Sequence, residues 1–448
     1  MPGTGSWWRA GTADRPHGLA GDSRSGRAAP TLESVPRRGH RYKEPAQPTY
    51  VTVRIESLVF GGAGLARAED GRVVFVSFAA PGELVEALVE REYPDYLQAV
   101  VSRVIEPSLD RVEPRCPLFG ECGGCQLQHM RYPAQLAAKE AVVREQLRRI
   151  GRLDDSVVRP IRGAADPWGY RNHLRFSTGK KYGDVGYIGR KGYGLLRAEQ
   201  CPIADPWVEE LLPRLQGHGA GLHQIQLRHS AETGTFLVNP EIPGLDLPTG
   251  QKAYVEELGG ARFDVSASAF FQVNHAQAEV MIELVGDALP ERGELLIDGF
   301  AGVGTFAVLF ANRFARVLAI EESNSAAKDS ERNLAQAPNV EMLVGKVEDV
   351  LPQLEERPDA IVLDPPRPGC APPVLAAILE FQPATVVYVS CNPATLARDL
   401  RILVDGGYQL DQVTPLDMFP QTGHIECVSK LTFAGRPGPD EVADGESA

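Results

Sequence analysis

Apolar residues follow two different patterns along this chain, and these patterns predict two kinds of domain. The N-terminal part alternates apolar and polar residues in short segments bounded by Gly and Pro, which is typical of a small β-barrel. These segments lie at residues 51–55, 73–76, 84–89 and 97–101. The C-terminal part has continuous β-branched runs around residues 360–363 and 386–389, which predict buried strands of an α/β sheet.

A third pattern lies between these two parts. From Tyr132 to Leu153, apolar residues recur at helical spacing, and basic residues occupy the other side. The apolar side is formed by Leu136, Val143, Leu147 and Ile150. We predict a helix over about residues 131–153 that belongs to a central α+β domain and packs on the C-terminal domain.

Each buried strand of the C-terminal part ends in a polar turn. One leads into Asp364-Pro-Pro-Arg-Pro-Gly, the next into Ser-Cys391-Asn-Pro, and a third short strand carries Glu426. Because open α/β sheets bind ligands at the carboxyl ends of their strands, we expect this thiol and these carboxylates to converge at one sheet edge. A lone free cysteine is most often a small buried hydrophobic residue, but the neighbouring carboxylate and rigid loop favour a functional thiol.

Composition favours a multidomain globular protein. The chain has 448 residues, of which 43% are hydrophobic and 23% charged, and these are ordinary values for such a protein. It has no run of 18 apolar residues and no apolar signal segment, so we expect a cytoplasmic protein without membrane association. Residues 1–48 are expected to be a disordered tail, and residues 434–448 an acidic disordered tail.

Charge is unevenly distributed along the chain. The net charge is −13, yet residues 131–199 contain 15 Lys and Arg against 7 Asp and Glu, a net of +8 that leaves −21 elsewhere. In this segment Arg171, Lys180 and Lys181 stand among aromatic residues such as Tyr182, a combination that holds phosphates and stacks bases. We therefore expect an RNA-binding surface here; the alternative is a solvated surface of mixed charge.

Seven cysteines in a reducing compartment are candidates for metal binding or catalysis rather than for disulfides. Cys116, Cys122 and Cys125 lie within ten residues, and Cys201, which precedes a proline, completes a set of four. Four thiolates suit either zinc or an iron–sulfur cluster. Zinc sites favour two Cys-x-x-Cys pairs, and this chain has one, so we predict a 4Fe–4S cluster.

Residues 294–306 predict a strand, a glycine turn and a helix. The next strand ends in Glu321, 23 residues after Asp298, where an acid can accept both ribose hydroxyls of a nucleoside. Acids at both strand ends would repel the pyrophosphate of NAD and suit a sulfonium cation. The pattern therefore favours S-adenosylmethionine as the bound cofactor.

Four segments, at residues 268–274, 364–369, 389–399 and 417–427, resemble the signature blocks of RNA uracil-5-methyltransferases. The resemblance covers about residues 50–433 and includes the four cysteines. It implies Cys391 as nucleophile, Glu426 as base, and four residues at the methyl donor: Gln272, Phe300, Glu321 and Asp364. Thr305 and Lys346 stand where some relatives have asparagine, and Thr305 is a further candidate contact of the donor.

The resemblance also implies a domain order. We expect a TRAM-type RNA-binding barrel at residues 49–108, a central α+β domain with the iron–sulfur cluster at 109–265, and a Rossmann-like class I methyltransferase domain at 266–433. The expected partner is a structured RNA, either rRNA or tRNA, with no obligate protein partner, so we expect a monomer.

The implied reaction requires a thiolate that adds to carbon 6 of uracil, so that carbon 5 becomes nucleophilic, and a base that later removes the carbon 5 proton. We expect the pKa of Cys391 to be locally depressed. Two alternatives stay open. An amino-group methyltransferase also has an Asp-Pro-Pro loop, but that loop continues with an aromatic residue, and this chain has Arg367 at that position. The other is a non-catalytic RNA-binding relative.

Overall fold

The computed structural model describes residues 47–179 and 181–435 of the chain. The predicted disordered tails lie outside these ranges except at residues 47–48 and 434–435, and Lys180 lies outside them too. Within the described ranges, no helix combines the length and the apolar character that crossing a membrane requires.

The N-terminal unit is a six-stranded sheet, and four of its strands coincide with the four predicted alternating segments, while the short strands β2 and β3 were not predicted. The strands are β1 (Tyr50–Arg54), β2 (Ser57–Leu58), β3 (Gly64–Arg67), β4 (Val73–Ser77), β5 (Leu84–Glu92) and β6 (Tyr96–Glu106). Their order is β1-β5-β6-β4-β3-β2. Because the two edge strands are consecutive in the chain, the sheet curls back on itself, as in a small barrel. Its core contains Val53, Val74 and Val85.

The central part begins with helix α1 (Tyr132–Gln146), which continues as one π-helical turn, Leu147–Gly151. A five-stranded antiparallel sheet follows, in the order β11-β10-β7-β8-β9. Its elements are β7 (His173–Thr178), β8 (Val185–Ile188), β9 (Leu195–Arg197), α2 (Pro206–Arg214), β10 (Gln224–His229) and β11 (Phe236–Asn239). Helix α2 is capped by Asp205, whose side chain accepts from the amide of Trp207.

The buried face of α1 differs from the predicted one. Val143 and Leu147 are buried in the core of the C-terminal sheet, but Ile150 is 40% exposed. The side chains of Gln135 and Lys139 are buried instead. The helical spacing of apolar residues could not predict the burial of these two side chains, because it depends on their polar partners in the C-terminal part.

The C-terminal part is a seven-stranded sheet with helices on both faces. After the hairpin β12 (Ala253–Leu258) and β13 (Ala261–Ser266), it contains α3 (His275–Ala288), β14 (Gly293–Gly299), α4 (Thr305–Phe310), β15 (Phe314–Glu321), α5 (Asn324–Asn333), β16 (Val340–Val344), α6 (Val347–Val350), β17 (Ala360–Leu363), α7 (Pro372–Phe381), β18 (Thr385–Ser390), α8 (Pro393–Asp405), β19 (Tyr408–Leu416) and β20 (Glu426–Phe433). The order is β16-β15-β14-β17-β18-β20-β19, and every strand runs in the same direction except β20, which is antiparallel to both of its neighbours. The strand order reverses between β14 and β17, where open α/β sheets form a ligand crevice.

Candidate active site

Cys391 and Glu426 lie at the same edge of the seven-stranded sheet. Strands β18 and β20 pair antiparallel, and their last pair is Ser390 opposite Cys427. One further step of this register sets Cys391 opposite Glu426, at the spacing where facing side chains interact. Asn392 caps helix α8 through the amide of Ala394, so Cys391 occupies a short turn between a buried strand and a capped helix. The predicted convergence of thiol and carboxylate is therefore present.

A cavity of about 1080 Å³ opens at the crevice between β14 and β17. Six of the predicted residues line it: Gln272, Phe300, Glu321, Asp364, Cys391 and Glu426. Lys346 and Arg367 also line it. Thr305 begins helix α4 and is not among the lining residues that the structure describes.

The glycine turn after β14 is held open toward this cavity by backbone contacts. The amides of Phe300 and Ala301 donate to the carbonyl of Ile320 at 3.1 and 2.9 Å. The Glu321 carboxylate accepts from the amide of Gly302 at 2.8 Å and from Ser323 at 2.6 Å. Phe300 has a φ of 72°, a left-handed conformation that is costly for a bulky residue. The turn thus places the Phe300 ring and the Glu321 carboxylate at the cavity wall.

Three carboxyl groups at this edge have raised pKa values. Burial raises the pKa of Asp298 to about 7 and that of Asp364 to about 6. Burial also raises the pKa of Glu426 well above its usual range, and the neighbouring Asp364 adds to the rise. A cation in the cavity would favour their ionised forms. The cavity therefore has the electrostatics of a site for a positively charged ligand.

The expected depression of the Cys391 pKa is wrong for the free protein. The pKa of this thiol is raised to about 12, mainly by burial and also by the carboxylates of Glu426 and Asp364, while Arg367 partly offsets the rise. A sequence motif cannot reveal this balance, because all three charged residues lie in other segments of the chain: Asp364 and Arg367 follow β17, and Glu426 begins β20. Ionisation of the thiol at neutral pH therefore needs an added positive charge near it.

A second cavity, of about 650 Å³, lies on the other side of Cys391. The four cysteines Cys116, Cys122, Cys125 and Cys201 line it. Phe270, Arg367, Cys391 and Glu426 line both cavities. The thiol and the carboxylate therefore stand between two spaces, one beside the glycine turn and the other beside the cysteines.

The four cysteines line one cavity, but their sulfur atoms are not close enough together to share one ion. No three of their sulfurs, all within the described ranges, lie within 4.8 Å of one another. A tetrahedral zinc ion with Zn–S bonds of about 2.3 Å would hold its four sulfurs less than about 4 Å apart. Burial raises the pKa of Cys125 to about 12, and Cys201, Cys122 and Cys116 contribute to the rise. The four sulfurs are therefore too far apart, as they stand, to bind one zinc ion together.

Sequence reasoning missed two polar side chains beside Cys391. The Nη2 atom of Arg367 lies 3.4 Å from Nδ1 of His424. The Arg367 carbonyl accepts from Asn392 at 3.2 Å, which fixes the Pro-Pro-Arg loop to the start of α8. Burial and the charge of Arg367 lower the pKa of His424 to about 4, so its imidazole is neutral at pH 7. The sequence could have indicated Arg367 and His424 as site residues, because Arg367 follows Asp364 by three residues and His424 precedes Glu426 by two.

Part of one signature block is structural. Asp399 is fully buried and accepts from the Tyr388 hydroxyl at 2.7 Å and from the Cys370 amide at 2.9 Å. It therefore ties helix α8 to strand β18 and to the loop after β17. These hydrogen bonds fix the helix that follows the Cys391 turn. Asp399 is also among the residues that line the larger cavity, but not the smaller one.

The basic segment is only partly available for RNA. Arg144 pairs with Glu140 at 3.0 Å and donates to the carbonyls of Asp155 and Val158, so it holds α1 to the following loop. Arg171 and Arg175 line the cavity of the cysteines. The charge that faces this cavity therefore comes from strand β7 and the residues before it, rather than from helix α1.

Comparisons with known proteins agree with this geometry. A family model described as tRNA (uracil-5-)-methyltransferase matches residues 260–350 and 350–432, and a TRAM-domain model matches residues 49–101. An RNA methyltransferase of Thermosynechococcus vestitus is 35% identical, with 86% of this chain and 98% of that protein covered. One of Gloeobacter violaceus is 36% identical, with 85% and 96% covered.

Among solved structures, one similar to this chain is the Pyrococcus abyssi tRNA (uracil-54, C5)-methyltransferase in complex with S-adenosyl-L-homocysteine. The TM-score is 0.67 at 25% identity, and the match covers 85% of this chain and 100% of that one. The similarity therefore extends over the N-terminal sheet, the central part and the seven-stranded sheet together.

Proposed function

Because the chain belongs to the RNA methyltransferases of the tRNA (uracil-5-)-methyltransferase family, we propose that it methylates carbon 5 of a uridine in tRNA or rRNA through a covalent adduct with Cys391. The observation that carries this proposal is the position of Cys391 and Glu426, which line both cavities at once. One cavity would hold the methyl donor and the other the RNA base. The reacting groups of the protein then lie between the two substrates.

The larger cavity would hold S-adenosylmethionine, which supplies the methyl group as a sulfonium. Glu321, at the end of β15, is placed to accept the ribose hydroxyls, and Phe300 and Gln272 line the same cavity. Asp364, whose pKa burial raises to about 6, is mostly ionised at neutral pH and would attract the sulfonium. Lys346 and Thr305 remain candidates for weaker contacts, and Thr305 is supported less because it does not line the cavity.

The smaller cavity would admit a uracil flipped out of the RNA. Phe270 is 66% exposed beside this cavity and offers an aromatic face on which a base can stack. The neutral imidazole of His424 and the guanidinium of Arg367 are the polar groups beside Cys391 that would contact the base edge.

The reaction then follows from these positions. The Cys391 thiolate forms a bond to carbon 6, and the electron pair of the 5,6 double bond makes carbon 5 an enolate-type nucleophile. Carbon 5 bonds to the methyl carbon as the methyl–sulfur bond breaks. The Glu426 carboxylate takes the proton from carbon 5, and the pair returns to the ring as the carbon 6–sulfur bond breaks. Cys391 is thereby regenerated as a thiolate.

The charge of the donor would also prepare the two protein groups. In the free protein, burial raises the pKa values of both Cys391 and Glu426. A sulfonium in the adjoining cavity lowers both values, because it favours the anionic forms. The thiol and the acid would therefore become reactive only when the methyl donor is bound, which protects the free thiol.

We further propose that Cys116, Cys122, Cys125 and Cys201 hold a 4Fe–4S cluster. The spacing of their sulfurs supports a group larger than one zinc ion. A bound cluster would supply no electron to this reaction, which moves electron pairs only. Its supported role is structural: the residue after Cys125, Gln126, donates its amide to the carbonyl of Gln421, in the loop that leads to Glu426.

Mass spectrometry of RNA fragments tests the proposed activity. Purified protein with S-adenosylmethionine and unmodified total RNA should add one methyl group at a single uridine, and digestion should release 5-methyluridine. RNA from a strain that lacks the gene should have the same position unmodified. Methylation at an exocyclic amino group would favour the amino-group methyltransferase instead, and binding without methylation would favour the non-catalytic relative.

A further inference from the structure

A separate group of ionisable side chains lies outside both cavities. It forms where the turn between β10 and β11, strand β12 and the start of helix α3 meet. Glu232, Glu256 and His275 bring one ligand atom each to within 4.8 Å of one another. The Nε2 atom of His275 lies 3.4 Å from Glu232 and 3.8 Å from Glu279, one helical turn further on. These residues come from three separate elements, so only the tertiary structure brings them together.

Glu256 is the unusual member of this group. Its side chain is 1% exposed, and neither of its carboxylate oxygens has a hydrogen-bond partner. A buried carboxylate without partners carries a large desolvation cost unless it is protonated or binds a cation. The carboxylate of Glu256 is directed at His275, whose Nδ1 lies 3.8 Å away.

We propose that Glu232, Glu256 and His275 bind a divalent transition-metal ion. An imidazole nitrogen combined with carboxylate oxygens is a donor set that Zn²⁺ and Mn²⁺ accept. Metal–ligand bonds of about 2.0–2.2 Å place neighbouring ligand atoms roughly 3–4 Å apart. The 3.4 Å between Glu232 and Nε2 of His275 fits this spacing. Glu256 is nearest to the other ring nitrogen, Nδ1, at 3.8 Å, so its carboxylate must turn toward Nε2 to share the ion.

The three side chains differ in their exposure to solvent, so an ion can reach the buried carboxylate from the surface. The side chain of Glu232 is 35% exposed, that of His275 25%, and that of Glu256 1%. An ion would first meet the exposed carboxylate and then reach the buried one, whose proton it displaces. This site differs from the four cysteines in its ligand chemistry, because it offers no sulfur.

The expected consequence is structural and falls on the segment before α3. His275 is the first residue of α3 and stands three residues after Gln272, which lines the larger cavity. An ion would tie this point to strand β12 and to the β10–β11 turn. None of the three proposed ligands lines either cavity. The metal site is therefore independent of which RNA binds and which reaction the protein catalyses.

Binding of Mn²⁺ to the whole protein tests this inference, because thiolates are poor ligands for Mn²⁺ and the four cysteines will not contribute. Protein dialysed into metal-free buffer at pH 7.5 is titrated with MnCl₂, and free ion is counted by electron paramagnetic resonance. We expect one bound ion per chain and a melting temperature that rises with Mn²⁺. Glu256→Gln and His275→Ala should weaken binding at least about 30-fold, and both should lose the thermal response.

Glu257→Gln is the matched control, since Glu257 is next to Glu256 on β12 and its exposed side chain pairs with Arg262. It should bind Mn²⁺ as the unaltered protein does. Without metal, Glu256→Gln should melt at least as high as the unaltered protein, because a neutral amide costs less to bury than a carboxylate without hydrogen-bond partners. Weak binding by this variant would then not result from unfolding. Equal Mn²⁺ and Zn²⁺ binding by Glu256→Gln and the unaltered protein would overturn the inference.

Discussion

Lys139 and Asp417 form a buried ion pair between the central helix α1 and the C-terminal sheet. The Nζ atom lies 2.6 Å from Oδ1, and the two side chains are 3% and 0% exposed. Lys139 also donates to the Phe419 carbonyl, and Gln135 exchanges two hydrogen bonds with Gln421. Residues 417–425, which lead to Glu426, are therefore held in place by helix α1.

Lys139→Met should lower both stability and turnover. It leaves the Asp417 carboxylate buried without its cation, and one oxygen of that carboxylate already has no hydrogen-bond partner. Breaking a buried pair in this way costs about 3–5 kcal/mol. Thermal unfolding and kcat measure the two effects.

The double variant Lys139→Met with Asp417→Asn removes the unpaired charge and should recover most of the lost stability, while kcat stays low because the loop is no longer positioned. Arg148→Met, at an exposed position just after α1, is the control and should change neither quantity much. A Lys139→Met protein with unchanged melting temperature would show that the pair is not a significant link.

Cys391→Ala and Glu426→Gln should fail in different ways. Without the thiol, carbon 5 is never activated, so no adduct and no methylation form, although the donor should still bind. With Glu426→Gln, addition and methyl transfer can proceed but the carbon 5 proton stays, so the enzyme should remain joined to methylated RNA. A denaturing gel with labelled RNA shows the adduct as a slow band. An adduct in Cys391→Ala would exclude this thiol as the nucleophile.

Alkylation of Cys391 should depend on the charge of the bound nucleoside. Because the pKa of the free thiol is about 12, little thiolate exists at pH 8, and iodoacetamide should react slowly. S-adenosylmethionine should accelerate alkylation roughly tenfold, which corresponds to about one pKa unit. S-adenosylhomocysteine has the same size without the sulfonium charge, so it controls for blocked access. Fast alkylation of the free protein, followed by peptide mass spectrometry, would contradict the raised pKa.

Asp298→Asn should change how stability depends on pH. The folded-state pKa of Asp298 is about 7, above its unfolded value of about 4, so the native state binds more protons. Its contribution to stability is therefore present below about pH 4 and is lost as pH rises to about 7. Asparagine keeps an acceptor for the Ala307 amide and cannot ionise.

We expect donor-free Asp298→Asn protein to melt several degrees above the unaltered protein at pH 8, at about 2–4 °C per kcal/mol of cost removed, and to match it more closely at pH 5. The exposed Asp287→Asn on helix α3 should leave the melting curve unchanged at both pH values. A variant that melts lower than the unaltered protein at pH 8 would mean that the ionised carboxylate is stabilising.

Protein purified without oxygen should be brown and carry about four iron and four sulfide per chain. Cys201→Ser should lower the iron content and loosen the loop that leads to Glu426, since Gln126 and Leu127 donate to the Gln421 carbonyl at 3.1 and 2.9 Å. Hydrogen exchange of residues 417–425 measures this effect independently of activity. Cys370→Ser should keep its iron, because Cys370 lies in the core and is not among the residues that line the cavity of the four cysteines. Colourless protein with one zinc ion would contradict the cluster.

The sequence by itself determined the elements whose signals are local. The β-branched run at 360–363 is strand β17, and the run at 386–389 lies in β18, because strands buried on both faces are apolar throughout. The same runs placed Asp364 and Cys391 at strand ends and therefore at one sheet edge. The helix after Arg131 begins at Tyr132, with Pro133 in its first turn, as predicted.

Tertiary structure alone decided what depends on distant parts of the chain. Lys139 pairs with Asp417, which is 278 residues later in the chain. The four cysteines share a cavity with Cys391, although three of them, Cys116, Cys122 and Cys125, precede it by more than 250 residues. The raised pKa of Cys391 has the same origin, because burial and the carboxylates of Glu426 and Asp364 set it. Desolvation and charge act through space, so no spacing of residues along the chain could have given their sign.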